Sequence, residues 1–128
     1  MRKGKNILII DDDDDLVEAL TTLLEAKEYT VIRASNGKEG IELLKETSPD
    51  LILLDIMMDS IDEGITVARD IKRNKNWKHI PIIGMSAINN ELPCEIDSDS
   101  EMFPVDRFLE KPVSPDTLIK EVERFIKK

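Results

Sequence analysis

At 128 residues, with 41% hydrophobic and 35% charged side chains, the chain has the size and composition of one globular domain, large enough to bury a core without disulfides or a structural metal. Eighteen basic against 27 acidic residues leave a net charge of −9, which repels a phosphate backbone and argues against direct nucleic-acid binding. One cysteine, Cys94, rules out an internal disulfide, and one histidine, His79, leaves no second imidazole to share a metal. No apolar run approaches the roughly 18 residues of a membrane span, and the run after the basic start Met1-Arg2-Lys3-Gly4-Lys5 is too short for a signal peptide, so a cytoplasmic protein without membrane insertion is expected.

Asn6-Ile7-Leu8-Ile9-Ile10 is a continuous apolar run, the mark of a strand covered on both faces. It runs straight into Asp11-Asp12-Asp13-Asp14-Asp15. Asp13, Asp14 and Asp15 suit the first turn of a helix, where carboxylates meet orphan N–H groups and the positive end of the dipole. Asp11 and Asp12 lie ahead of that turn, and two adjacent carboxylates at a strand end repel unless a cation neutralises them.

From Asp14 to Glu28, the residues Leu16, Val17, Leu20, Leu23 and Leu24 recur at helical spacing. A mixed strand follows over Tyr29 to Ala34, and Asn36-Gly37-Lys38-Glu39 resembles a capping box opening a second helix, which Pro49 ends. Leu51-Ile52-Leu53-Leu54 is another buried strand, and Asp55 stands where it ends. Open α/β sheets hold their ligands at that edge. Met57 and Met58 read as packing residues. Asp59-Ser60-Ile61-Asp62-Glu63-Gly64 reads as a polar loop, before a third helix marked by Ile65, Ala68 and Ile71 and reaching about Asn74.

Ile80 to Met85 forms a fourth strand with its proline near the start, and it ends in Ser86-Ala87. Ile88 to Val105 lacks sustained periodicity, so a short helix or an irregular loop is expected. Arg107-Phe108-Leu109-Glu110 is a short fifth strand ahead of Lys111-Pro112, and Ser114-Pro115 opens a last helix with Leu118, Ile119, Val122, Phe125 and Ile126 as its apolar stripe.

Strands and helices alternating five times imply a parallel sheet covered on both faces, with right-handed crossovers bringing every strand C-terminus to one edge. Asp11, Asp12, Asp55, Ser86 and Lys111 are gathered there from distant parts of the chain. Three carboxylates in proximity call for a hard divalent cation with oxygen ligands, and Mg²⁺ fits best. With the Ser86 hydroxyl and the Lys111 ammonium placed to hold phosphoryl oxygens, the set is equipped for phosphoryl transfer to an aspartate.

The spaced elements Ile7-Leu8-Ile9-Ile10-Asp11-Asp12, Pro49-Asp50-Leu51-Ile52-Leu53-Leu54-Asp55, Ile80-Pro81-Ile82-Ile83-Gly84-Met85-Ser86-Ala87 and Phe108-Leu109-Glu110-Lys111-Pro112 resemble the receiver domains of two-component response regulators, over essentially the whole chain. The resemblance implies a flavodoxin-like α/β fold, with a doubly wound five-stranded parallel sheet of order 2-1-3-4-5. It implies Asp55 as phospho-acceptor, with Mg²⁺ held by Asp11, Asp12, Asp55 and the backbone carbonyl of Met57. Ser86 and Lys111 follow the phosphoryl group, Phe108 reports the switch, and the bond from Lys111 to Pro112 is cis. The implied partners are a histidine kinase or histidine phosphotransfer protein and a downstream protein target.

The chain departs from the family pattern at Asp59, where a proline is usual, at Asp62-Glu63-Gly64, which carries one residue more than the usual Asp-Gly, and between Ser86 and Lys111, which is some three residues longer. The expectation is a single receiver domain over residues 1–128 with no output domain in this chain, catalysing only its own phosphoryl transfer and autodephosphorylation. Two other readings compete with it: a receiver-like docking module that works without phosphorylation, and an aspartate-nucleophile phosphohydrolase of the haloacid dehalogenase type, for which the chain is short and has no cap domain.

Overall fold

Strands that are apolar at every position cannot show one face to water, so helices must cover both sides of the sheet they form. The computed structural model describes residues 5–56, 61–86, 105–111 and 113–126, the side chains of 61–63 excepted. The strands β1 (Asn6–Ile10), β2 (Thr30–Ala34), β3 (Leu51–Asp55), β4 (Ile82–Ser86) and β5 (Arg107–Glu110) are all parallel and stand in the order β2-β1-β3-β4-β5. Among the described residues there are four helices, α1 (Asp14–Ala26), α2 (Gly37–Glu46), α3 (Ile61–Arg73) and α4 (Pro115–Ile126). This is the flavodoxin-like doubly wound arrangement that the sequence predicts.

The two-residue period of a strand divides the core in two. Leu8, Ile10, Ile52, Leu54 and Ile82 pack with Leu44 of α2 and Val67, Ala68 and Ile71 of α3. Ile7, Ile9, Leu51, Leu53, Ile83, Met85 and Leu109 pack with Val17, Leu20 and Leu24 of α1 and Leu118, Val122 and Ile126 of α4. β1 and β3 pair directly, Ile7 opposite Leu51 through Ile10 opposite Leu54, so the residues that follow them, Asp11 and Asp55, leave the sheet side by side.

Helix starts follow the predicted chemistry. Asp13 caps α1 by accepting the Leu16 N–H at 3.1 Å, and Ser114 caps α4 by accepting the Thr117 N–H at 3.1 Å, one residue ahead of Pro115. At α2, Asn36 accepts the Glu39 N–H at 2.8 Å, while the Glu39 carboxylate accepts the Ser35 N–H at 2.7 Å, one residue earlier than a standard capping box would place it.

β2 begins at Thr30, one residue later than expected, and three further boundaries differ for identifiable reasons. α1 ends at Ala26 rather than Glu28, because Glu28 takes a left-handed conformation (φ 74°) and the chain closes in a Schellman motif, with Tyr29 N–H donating to Leu24 O at 3.1 Å and Glu28 N–H to Glu25 O at 2.9 Å. β4 begins at Ile82 rather than Ile80, since the Ile80 N–H donates to Trp77 O at 2.9 Å and belongs to the preceding turn. α3 begins at Ile61, so Ile61-Asp62-Glu63-Gly64 is helix and not polar loop. Gly64 shows why: a Cβ there would fall 2.6 Å from Ile56 Cα, so the first turn of α3 lies directly on the backbone that leaves β3. The expectations for residues 87–104, for Met57, Met58 and Asp59, and for the Pro112 peptide bond lie outside the described residues.

Two substitutions test these local readings by thermal unfolding. Glu28→Gly removes a left-handed non-glycine residue that costs about 1–2 kcal/mol, partly offset by the greater freedom of glycine in the unfolded chain, and is expected to raise the midpoint by a few degrees. Gly64→Ala, which at an exposed helical position would stabilise by about 1 kcal/mol, is expected to lower it.

Candidate functional site

β1 and β3 are adjacent and the chain winds away from them in opposite directions, so a crevice opens between their C-terminal ends, the ligand position of open α/β sheets. Asp11, Asp55 and Lys111 continue the odd-numbered positions that face α1 and α4 along β1, β3 and β5, whereas Ser86 closes β4 with the opposite parity. One oxygen from each of Asp11, Asp12 and Asp55 lies within 4.8 Å of the others. Asp11 is fully buried and Asp55 nearly so, while Asp12 faces solvent.

Among the described residues, a single ammonium enters this cluster. Lys111 Nζ lies 3.3 Å from Asp11 Oδ2 and 3.5 Å from Asp55 Oδ1, reaching across β4 from the edge strand. Both distances are long for a charge-assisted hydrogen bond, so the lysine is shared between the carboxylates and locked onto neither. Asp12 has no ion pair among the described residues. Among the described residues one ammonium faces three carboxylates, a formal difference of two charges that a divalent cation would balance.

Backbone geometry fixes each member. The Asp11 N–H extends the β1–β2 ladder by donating to Ala34 O at 3.0 Å, and Asp11 Oδ1 accepts the Asp13 N–H at 2.9 Å. Across the site, the Lys111 N–H donates to Ser86 O at 2.8 Å and the Ile56 N–H to Met85 O at 2.9 Å, so the ends of β3, β4 and β5 are stitched together. The Ser86 hydroxyl is buried and has no hydrogen-bond partner among the described residues. An unpartnered buried hydroxyl costs about 1–3 kcal/mol, and it ends the strand next to the one that carries Asp55.

These observations fit a hard divalent cation and an oxyanion: every candidate ligand is a carboxylate, the charge deficit is two, and a hydroxyl donor stands ready at the same edge. Of the residues singled out by sequence, Asp11, Asp12, Asp55 and Lys111 are brought together, and Ser86 stands on the adjoining strand end. Phe108 is half-buried opposite Gly84 in the β4–β5 register and packs against the core cluster of α2 and α3. His79 stands apart, exposed in a groove with Trp77 and Pro49 at the other edge of the sheet.

Sequence reasoning passed over Arg33. From β2, its Nη2 donates to Asp11 O at 3.0 Å and pairs with Asp14 Oδ1 at 2.7 Å. The available signal was a lone arginine one residue before the end of a strand predicted to lie beside the five-aspartate run.

A family model, the response regulator receiver domain, matches residues 7–123. The chain is 28% identical over 125 residues to the polar-differentiation response regulator DivK of Brucella anthropi, covering 95% of this chain and 96% of DivK. It is 36% identical over 108 residues to the transcriptional regulatory protein AfsQ1 of Streptomyces coelicolor, covering 84% of this chain but only 45% of AfsQ1, so it spans less than half of that relative. Among solved structures, the response regulator protein TrrA of Thermotoga maritima, in complex with Mg(2+)-BeF, superposes with a TM-score of 0.79 at 30% identity, covering 95% of this chain and 99% of that one.

The shared lysine yields a test. Lys111→Met leaves Asp11 and Asp55 buried without their countercharge, so without divalent cations the variant is expected to lose about 3 kcal/mol in denaturant unfolding. Because the same lysine competes for carboxylate oxygens, Mg²⁺ is expected to stabilise this variant more than the parent.

Proposed function

The chain belongs to the response regulator receiver domain family, which serves phosphorylation-based signalling, and on that footing we propose that Asp55 accepts a phosphoryl group from a histidine kinase or histidine phosphotransfer protein. The observation that carries this reading is the convergence of Asp11, Asp12 and Asp55 around one shared ammonium, beside a buried hydroxyl without a partner among the described residues. Such an arrangement holds negative charge in readiness for a cation and a phosphoryl group.

In the proposed reaction a carboxylate oxygen of Asp55 attacks the phosphorus of the donor. The bond from phosphorus to the donor's imidazole nitrogen breaks, its electron pair leaves with the imidazole, and a mixed anhydride forms on Asp55. Mg²⁺, held by Asp11, Asp12, Asp55 and the Met57 carbonyl, would supply charge neutralisation to the phosphoryl oxygens. Lys111 gives up the Asp55 oxygen that becomes phosphorylated and turns to a phosphoryl oxygen, keeping an ion pair throughout. Ser86 donates its hydroxyl to a second one. Water attack on the anhydride returns the free carboxylate and inorganic phosphate, so the protein catalyses its own loading and unloading.

The switch follows from connectivity. The Lys111 N–H is bonded to Ser86 O, so an inward move of either residue carries the other, and the ends of β4 and β5 shift as a pair. Phe108 lies on β5 three residues before Lys111 and rests on the opposite core, so its packing senses that shift. A downstream protein reading the face beside β4 and β5 then responds to the phosphate without touching it.

Incubating the protein with Mg²⁺ and acetyl phosphate tests the reading. Intact mass is expected to rise by one phosphoryl group, mapping to Asp55, with no adduct in Asp55→Asn and strongly reduced labelling in Asp12→Asn. Absence of any adduct under saturating metal would favour a docking module instead, and labelling within Asp11 to Asp15 with turnover of diverse phosphoesters would favour a phosphohydrolase.

A further inference from the structure

Guanidinium groups are unfavourable at a helix N-terminus, where the dipole already places positive charge. Arg33 nevertheless reaches from β2 to the start of α1. It joins Asp11 O at 3.0 Å and Asp14 Oδ1 at 2.7 Å through a single nitrogen, Nη2, while its Nε is buried with no partner among the described residues. An exposed Arg–Asp pair contributes about 0–1 kcal/mol, which does not offset a buried unpaired N–H and an adverse dipole. The contact with the Asp11 carbonyl is what distinguishes this arginine from an ordinary surface ion pair.

That carbonyl belongs to the peptide joining Asp11 to Asp12. On one side of Asp12, Arg33 fixes the peptide through its oxygen; on the other, the Asp13 N–H is held by Asp11 Oδ1 at 2.9 Å. Asp12 is thereby suspended between two anchored peptides, with its own carboxylate exposed and without an ion pair among the described residues. Lys111 differs in kind: it touches the carboxylate oxygens that would bind metal, whereas Arg33 touches a backbone oxygen and a neighbouring acid and leaves those oxygens free.

We propose that Arg33 is a positioning residue of the cation site: by clamping the Asp11 carbonyl and Asp14 it holds the Asp11-Asp12 peptide in the orientation that lets both carboxylates bind one divalent ion. The proposal rests on the reading of Asp11 and Asp12 as cation ligands. It gives two cations at one acidic cluster opposite effects on metal binding, Lys111 as competitor and Arg33 as organiser.

Calorimetric Mg²⁺ titration of Arg33→Met and Arg33→Lys tests it, beside the parent protein and Asp12→Asn, with thermal unfolding without metal as the check that each variant is folded. Arg33→Met is expected to bind Mg²⁺ about tenfold more weakly, the lower end of what loss of a supporting contact costs a metal site. Arg33→Lys, which keeps the charge and can serve one acceptor at a time, is expected to recover part of that loss. Equal or tighter binding by Arg33→Met would overturn the proposal and make the arginine a screening charge only, while parent binding abolished by Asp12→Asn would leave the cation site itself standing. Failure of the parent to bind Mg²⁺ at all would overturn both.

Discussion

Two carboxylates, Asp11 and Asp55, are buried at the tips of adjacent strands, and the interaction that makes this tolerable is their shared approach to the Lys111 ammonium. Burying an unpaired anion costs several kcal/mol, and a cation carried just past the end of a strand two places away from β3 is brought over the sheet edge to offset it. Parallel pairing supplies that reach: every strand ends at the same edge, and β5 delivers Lys111 there without a long loop. The two-layer core, the register of β1 on β3 and the close seat of α3 on the end of β3 all serve to hold these few charges at fixed separations.

The pairing is deliberately incomplete in electrostatic terms. A lysine bonded tightly to one carboxylate would have to be pulled away before that carboxylate could react. One poised between two, at 3.3 and 3.5 Å, can change partners with little net cost. The backbone bond between Lys111 and Ser86 adds a mechanical consequence. The ammonium and the hydroxyl sit at the ends of neighbouring strands tied together there, so in the proposed switch a change of partner in the site would also be a change of strand geometry.

Much of this was legible in the residues. Unbroken apolar runs over Ile7 to Ile10 and Leu51 to Leu54 identify strands buried on both faces, and a polar residue ending each run is then anomalous enough to be read as functional. Caps at Asp13, Asn36 and Ser114 were visible because side-chain acceptors precede helical periodicity. What escaped was tertiary in origin. Ile61 to Gly64 read as loop because aspartate and glycine are poor helix formers, but the glycine is there to let the helix touch the backbone of Ile56. Glu28 read as helix because periodicity cannot reveal a positive φ. Arg33 carried only its position near a strand end as a signal, since its partners are a carbonyl 22 positions earlier in the chain and an acid on another element.

Asp11 and Asp12 are neighbours with the same side chain, yet the fold treats them unequally. Asp11 is immobilised through its amide, its carbonyl and both carboxylate oxygens, whereas the Asp12 carboxylate faces water. This asymmetry bears on kinetics as much as on affinity. A ligand set anchored entirely inside the protein would exchange a bound ion only as fast as the fold breathes. On the proposed reading of Asp11 and Asp12 as cation ligands, one arm would be fixed and one solvated, so an ion would arrive and depart through the solvated arm and its residence time would be decoupled from the stability of the domain.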